Sequence, residues 1–293
     1  MNGFLIIDKP SGVTSFSMVS LVRRLTGVRR VGHAGTLDPL ASGVLPVAVG
    51  YATRFIEYMD DALKTYVATV RFGEATDTYD STGTVTSSGD AAGVTATAIE
   101  AVLAEFVGEI VQTPPVFSAI KVAGKPLYQY AREGADVAVA SRTVYVERAM
   151  LHSCDDGVAE IEVRCGKGTY IRSIAHDLGL RFGCGAHLSE LRRTSSGGFG
   201  VADARAPEEL TVLAGEARLR EALLAPDRAV ERRAAAILGS ERSVDVACGR
   251  DIEFETARAV DLCRAYSAEG EFMGVLRPRG DGRWHPEKVV GTG

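Results

Sequence analysis

Long apolar runs are missing from this 293-residue sequence: charges recur throughout, and no segment approaches the roughly 20 residues needed to span a bilayer. No membrane association is expected. The start, MNGFLIIDKPSG, holds a short apolar run interrupted by Asp8, with no basic leader and no small-residue cleavage site, so the expected location is cytoplasmic. Cysteine is scarce: Cys154, Cys165, Cys184, Cys248 and Cys263 are an odd number without a C-x-x-C pair, which points to reduced packing residues. A closed zinc site needs four N or S ligands, and Cys184 with His187 finds no second pair. Phosphate-cradling signatures are lacking too. CGKGTY at 165–170 has neither the third glycine nor the following acid of a dinucleotide fingerprint, and it is not GxxxxGK[ST]. Asp77 and Asp80 lack the alternate-residue oxygens and terminal Glu of a calcium loop. The sequence therefore predicts no metal, no nucleotide cofactor and no other cofactor.

What is present is 46% hydrophobic residues in a chain longer than one ordinary domain, which predicts a large first domain and a small second one. The net charge of −5 argues against a generally basic surface, yet the charge is uneven. Residues 54–110 carry ten acids against three bases, while residues 1–40 carry five bases (Lys9, Arg23, Arg24, Arg29, Arg30) against Asp8 and Asp38. One face can be positive, although the same arginines also suit a solvated helix face.

Along the chain, FLIID reads as a buried strand, and Thr14 or Ser15 can cap a helix in which Val19, Leu21, Val22 and Leu25 recur before Gly27. GVLPVAVG and KTYVATVRFG read as strands, ATRFIEYM as a short helix, and DTYDSTGTVTSSGDAAG as a mobile surface loop. TATAIEAVLAEFVG is helical, with Ile99, Val102, Leu103 and Phe106 on one side. A break at Pro114 and Pro115 precedes a short helix holding Tyr128 and Tyr130. SRTVYVERAMLHSC and GVAEIEVRC read as strands, the second feeding the helix IRSIAHDLGLRFG and placing Tyr170 and Arg172 at a strand-to-helix mouth. HLSELRRTSSGGFG is expected as a strand exposing Arg192 and Arg193, and PEELTVLAGEARLREALL as helical. LAPDRAVERRA reads as a linker, followed by short strands in SVDVACG, GEFMGVLRPRG and RWHPEKVV. The expected domains are residues 1–228 and 229–293.

One carboxylate stands apart. In RRVGHAGTLDPLASGVLPVAVG, Asp38 precedes Pro39, which biases it to an extended conformation, and Gly32, Gly35 and Gly43 permit tight turns. On spacing alone, a turn-forming Asp bonded to its own backbone is the simpler alternative to a catalytic one. G-x-S-x-G is absent around Ser42, and a second carboxylate for glycoside hydrolysis is missing from the loop. The chemistry left open is a lone carboxylate acting as nucleophile or base.

FLIIDKPSGVTS at 4–15, GHAGTLDPLASGVLPVAVG at 32–50, KTYVATVRFG at 64–73, GKGTYIRSIAHDLG at 166–179 and HLSELRRTSSGGF at 187–199 together resemble the bacterial tRNA pseudouridine synthase B family. The resemblance implies an α+β fold: a mixed, largely antiparallel sheet with flanking helices, the pseudouridine synthase fold. A small C-terminal β-barrel of the PUA type, matched more loosely, is implied to grip RNA. It implies isomerisation of uridine 55 in the tRNA T arm to pseudouridine; a monomer is expected. By the same resemblance Asp38 matches the essential aspartate, His33 the loop histidine that contacts substrate, and Tyr66 the tyrosine that stacks on the target base. Arg172 matches the arginine paired with the aspartate, and Tyr170 and Leu191 match residues lining the uracil pocket. Whether Asp38 attacks ribose C1′, adds to uracil C6 or removes a ribose proton stays open. Lys9, Arg23, Arg24, Arg29, Arg30, Lys121, Lys125, Arg192 and Arg193 are candidate RNA contacts, because a buried uridine must be extruded and phosphate contacts offset that cost. Two alternatives remain: a non-catalytic RNA-binding or RNA-folding protein on this scaffold, and a metal-dependent phosphotransferase or nuclease using Asp77 and Asp80.

Overall fold

The computed structural model describes residues 1–59, 63–135, 137–254 and 260–290. β1 (Gly3–Lys9) is buried almost throughout, as an apolar run between two layers must be. In α1 (Ser15–Thr26) the Thr14 hydroxyl accepts from the Ser17 amide at 3.1 Å, and Gly27 ends the helix at φ 69°. Met18, Val19, Leu21 and Val22 form its buried face. β2 (Val31–His33) and β3 (Ser42–Val49) bracket the segment that carries Asp38. A 3₁₀ segment, Gly50–Met59, precedes β4 (Lys64–Phe72), whose Tyr66, Ala68, Val70 and Phe72 point inward in alternation.

The polar stretch after β4 is not a loose loop. It forms an ordered hairpin of β5 (Glu74–Thr76) and β6 (Val85–Ser88), and Thr76, Thr78 and Asp80 are buried in its turn. The reason is tertiary: Ser81 N donates to Leu188 O at 2.9 Å and Leu188 N to Tyr79 O at 3.0 Å, so the turn is stitched to a neighbouring strand. α2 (Ala96–Glu105), capped by Thr95, presses Ile99 and Leu103 into the core. β7 (Gly108–Gln112), a small hairpin β8 (Lys121–Val122) and β9 (Lys125–Pro126), and α3 (Leu127–Arg132) follow. Then come β10 (Arg142–Asp155), β11 (Val158–Cys165), α4 (Ile171–Phe182), β12 (Ala186–Ser196), β13 (Phe199–Gly200) and α5 (Pro207–Gly215).

These strands make a nine-stranded sheet in the order β1-β3-β12-β4-β11-β10-β7, with β2 added on β3 and β13 on β12. All its pairings are antiparallel except β3 with β12. Alternate residues of β1 serve two cores: Leu5 and Ile7 join α1, α2 and α4 on one face, while Phe4 and Ile6 join Phe55 and Met59 on the other.

The remaining strands are β14 (Ala234–Ile237), β15 (Ile252–Glu253), β16 (Cys263–Tyr266), β17 (Phe272–Pro278) and β18 (Arg283–Val289), with α6 (Ser240–Ala247) between the first two. They form a five-stranded half-barrel sheet, β14-β16-β17-β18-β15. SVDVACG, expected as a strand, lies in α6: Val246 alone is deeply buried there, and the charges of SERSVDVA face solvent at helical spacing. The stretch expected as a linker is also packed. Pro226, Ala229 and Val230 are buried in a 3₁₀ turn, and Val230, Leu262 and Val275 share the Phe55 core. Arg54 Nη1 donates to Val289 O at 3.0 Å, and Lys288 pairs with Glu57 at 3.0 Å, so the two sheets meet across a bonded seam. Five cysteines are free thiols. No described helix is long and apolar enough to cross a membrane.

Candidate active site

The turn between β2 and β3 is held from outside its own sequence. Gly12 N donates to Pro39 O at 2.8 Å, Leu37 N donates to the Ser15 hydroxyl at 2.8 Å, and that hydroxyl also lies 2.9 Å from Leu37 O. Lys9 Nζ donates to the carbonyls of Pro10 (2.9 Å), Val13 (2.8 Å) and, more weakly, Pro39 (3.4 Å). The sole parallel pairing of the sheet, Arg193 beside Gly43, brings β12 against the same turn. Gly43 has φ 100°, and a Cβ there would fall 2.2 Å from Arg193 O, so only glycine allows the approach. Arg193, fully buried, donates through Nε to Val44 O at 2.8 Å and through Nη2 to Gly35 O at 3.0 Å.

Asp38 thus sits, 39% exposed, at the rim of a cavity of about 290 Å³. Tyr66, Ser118, Tyr170, Arg172, Leu191 and Arg193 are among its other walls. Volume of this order suits one small ring system rather than a drug-sized ligand. The N-terminus of α4 is fixed by Gln112 on β7: Tyr170 N donates to its Oε1 at 2.8 Å, and its Nε2 donates to Tyr170 O at 3.0 Å. Arg172, in the first turn, is consequently aimed at the cavity rim.

The Arg172 guanidinium, almost wholly buried, gathers four oxygens. Nη2 lies 2.8 Å from Asp38 Oδ2 and 3.0 Å from Phe117 O, while Nη1 lies 3.1 Å from Thr78 O and 3.6 Å from Asp80 Oδ2. Asp80, 7% exposed, accepts on Oδ1 from Thr78 Oγ1 (2.8 Å), Thr82 N (3.0 Å) and Thr82 Oγ1 (2.5 Å). A buried guanidinium needs such company, since an uncompensated charge would cost several kcal/mol. The result is a carboxylate paired with a buried cation that three further oxygens hold in place.

Burial pushes the Tyr66 phenol up, with the Arg193 guanidinium opposing, so the ring stays neutral at pH 7. Lys9 is pushed down to about 8, mainly by burial, with Asp38 opposing and Arg193 reinforcing the shift. His33 is lowered, first by burial and then by Arg193, and is neutral at pH 7.

Of the residues singled out by sequence, Asp38, Tyr66, Tyr170, Arg172 and Leu191 line one cavity. His33 does not; it lies half-buried at the end of β2, outside those walls. Lys9 and Arg193 were expected on an exposed basic track and are corrected here: both are fully buried, because they bind backbone carbonyls around the Asp38 turn. Arg192 is half-exposed but paired by both Nη atoms with Asp8, at 3.0 and 2.8 Å. Arg23, Arg24, Arg29, Arg30 and Lys121 are exposed, and Lys125 is paired with Glu133. Sequence reasoning missed Thr78, Ser118 and the inward role of Arg193, and it considered Asp80 only as a metal ligand, not as the acid behind Arg172. Nothing in TDTYDSTG distinguishes a buried turn from a surface one, because its burial comes from β12.

Two family models match the chain. The one described as TruB family pseudouridylate synthase (N terminal domain) covers residues 23–171, and the tRNA pseudouridylate synthase B C-terminal domain covers 172–231. A tRNA pseudouridine synthase B of Dehalococcoides mccartyi is 42% identical over 289 residues, 99% of this chain and 96% of that protein. One from Chromobacterium violaceum is 42% identical over 293 residues, with 99% and 95% covered. Among solved structures, an H/ACA RNP bound to a substrate RNA containing 2′-deoxyuridine includes a chain with TM-score 0.72 and 27% identity, covering 94% of this chain and 77% of that one. The archaeal box H/ACA sRNP Nop10-Cbf5 complex gives TM-score 0.72 and 26% identity, with 99% and 85% covered. With matches of this extent joined to a single carboxylate clamped by a buried arginine at a small cavity, the chain belongs to the TruB family of pseudouridylate synthases.

Proposed function

We propose that this protein converts uridine 55 in the T arm of tRNA to pseudouridine, with Asp38 as the catalytic group. The observation that carries the reading is the Asp38–Arg172 ion pair, set at the rim of a cavity walled by Tyr66 and Leu191. A uridine everted from the T loop enters this cavity at a cost of a few kcal/mol. Tyr66 offers its ring to the base, an interaction worth roughly 1–3 kcal/mol. The N1–C1′ bond breaks, the base turns within the enclosed space, and C5 bonds to C1′. C5 loses its proton and N1 gains one, so atoms and charge balance without any added group. Asp38 serves as nucleophile or base at the sugar or base carbon, and Arg172 holds it in register without itself reacting. Tyr170 completes the wall, and His33 acts on RNA outside the cavity.

Arg23, Arg24, Arg29, Arg30 and Lys121 supply phosphate contacts that offset the extrusion cost. Residues 1–228 perform the chemistry, residues 229–293 grip the RNA, and the protein works as a monomer. A purely RNA-binding role is less well supported, because the curated relatives are synthases.

Tritium release from a T-arm hairpin carrying 5-tritiated uridine tests the proposal. Stoichiometric release is expected, undiminished by excess EDTA; a protein that binds the hairpin and releases no tritium is a binder only.

A further inference from the structure

Three buried polar atoms on cavity-lining residues lack a partner among the described residues: Arg172 Nε and Arg193 Nη1, whose guanidinium groups are bonded elsewhere, and the Ser118 hydroxyl, which is not. Ser118 lies between β7 and β8, is 4% exposed, and lines the cavity with Asp38 and Arg172. Its backbone is satisfied on both sides: Ser118 N donates to Val116 O at 2.9 Å, and Ser118 O accepts from Tyr128 N at 3.0 Å. Its hydroxyl, in contrast, has no hydrogen-bond partner among the described residues. A buried hydroxyl left unsatisfied is destabilising, so a partner from the cavity's occupant is worth correspondingly more.

The position of Ser118 limits which part of a nucleotide it can meet. Its neighbour's carbonyl, Phe117 O, is 3.0 Å from Arg172 Nη2, and that same nitrogen is 2.8 Å from Asp38 Oδ2. Ser118 is therefore on the Asp38 side of the cavity, whereas Tyr66 and Leu191 come from the sheet strands β4 and β12. Resting on the functional reading above, and on the two routes in which Asp38 acts at the sugar (attack at C1′ or removal of a ribose proton), the sugar lies beside Asp38. The hydroxyl nearest to C1′, and the sugar group there that can both donate and accept, is the 2′-hydroxyl, which is also what distinguishes RNA from DNA. We propose that the Ser118 hydroxyl binds the ribose 2′-hydroxyl of the extruded nucleotide and so reads the substrate as RNA.

The test is a two-by-two binding experiment in full-length Asp38→Asn protein, where turnover does not obscure affinity. T-arm hairpins with uridine or 2′-deoxyuridine at the target position are titrated against that protein with and without Ser118→Ala. Ser118→Ala is expected to weaken the uridine hairpin about tenfold, the loss of one net hydrogen bond, and to leave the deoxyuridine hairpin unchanged. Its Tm should stay level or rise, because an orphaned hydroxyl contributes nothing to the free protein. Equal weakening of both hairpins, no weakening of either, or a lowered Tm overturns the assignment. Tritium release by the unmodified protein separates the two failures: release without the ribose preference sinks this inference alone, and absence of release sinks the functional reading with it.

Discussion

Two turns bring carboxylates to one arginine, and they are built in opposite ways. The turn carrying Asp38 is fixed by others: Lys9, Gly12 and Ser15 bond its backbone, and Arg193 binds Gly35 O beneath it. Its carboxylate stays over a third exposed, and its ion pair among the described residues is to Arg172 through Oδ2. The turn carrying Asp80 is stitched to β12 by its backbone, but its carboxylate is fixed from within the turn. Thr78 and Thr82 spend their donors on Asp80, Thr76 Oγ1 donates to Asp80 O at 2.7 Å, and Asp77 accepts from Thr84 N at 2.8 Å. An acid that reacts must keep an oxygen available, so its rigidity has to come from the backbone. An acid that only positions a cation can use its oxygens for its own support.

The comparison breaks first at Asp38, the acid proposed to react. Asp38→Asn is expected to reduce turnover by at least about a thousandfold while hairpin affinity stays within about tenfold, because the carboxylate does chemistry and holds no phosphate. Tritium release near the wild-type rate would end the assignment. Next is the glycine that seats the first turn. Gly43→Ala drives a methyl into Arg193 O and holds alanine at a positive φ, so denaturant unfolding should show a loss of roughly 2–4 kcal/mol.

Asp80→Asn should cost less, about 10–100-fold in kcat with little change in KM, since Arg172 keeps Asp38 and two carbonyls but loses one of its flanking charges. A change confined to KM would mean that Asp80 supports RNA binding instead. The smallest effect concerns Lys9. Between about pH 8 and its ordinary 10.5, the unfolded chain holds this proton more tightly than the folded protein does. Stability relative to Lys9→Met should therefore rise with pH across that window, and paired thermal melts at pH 7.5 and 9.5 check the sign.

Much of the cavity was legible because its residues fall in short, ordered motifs: GHAGTLDPLASG, KTYVATV and GKGTYIRS each deliver a wall residue through a strand end or helix start. The helix caps Thr14, Gly27 and Thr95 could likewise be read, being local effects of one residue on its neighbours. Burial of charge could not. Arg192 and Arg193 are adjacent and chemically identical, yet strand alternation sends one to Asp8 at the surface and the other into the wall. SVDVACG misled because its alternating apolar residues fit a short strand as well as a helix turn, and packing on the half-barrel decides between them.

By itself the sequence determined the family and most of the strands and helices, and it singled out Asp38 and the arginine that clamps it, since these depend on local spacing and on motifs within single segments. Only the tertiary structure decided that Lys9 and Arg193 serve the inside, that Asp80 stands behind Arg172, and that the segment before β14 is a bonded joint. Those outcomes depend on which segments, far apart in the chain, exclude water from the same space, and a charge buried there finds its partners in three dimensions.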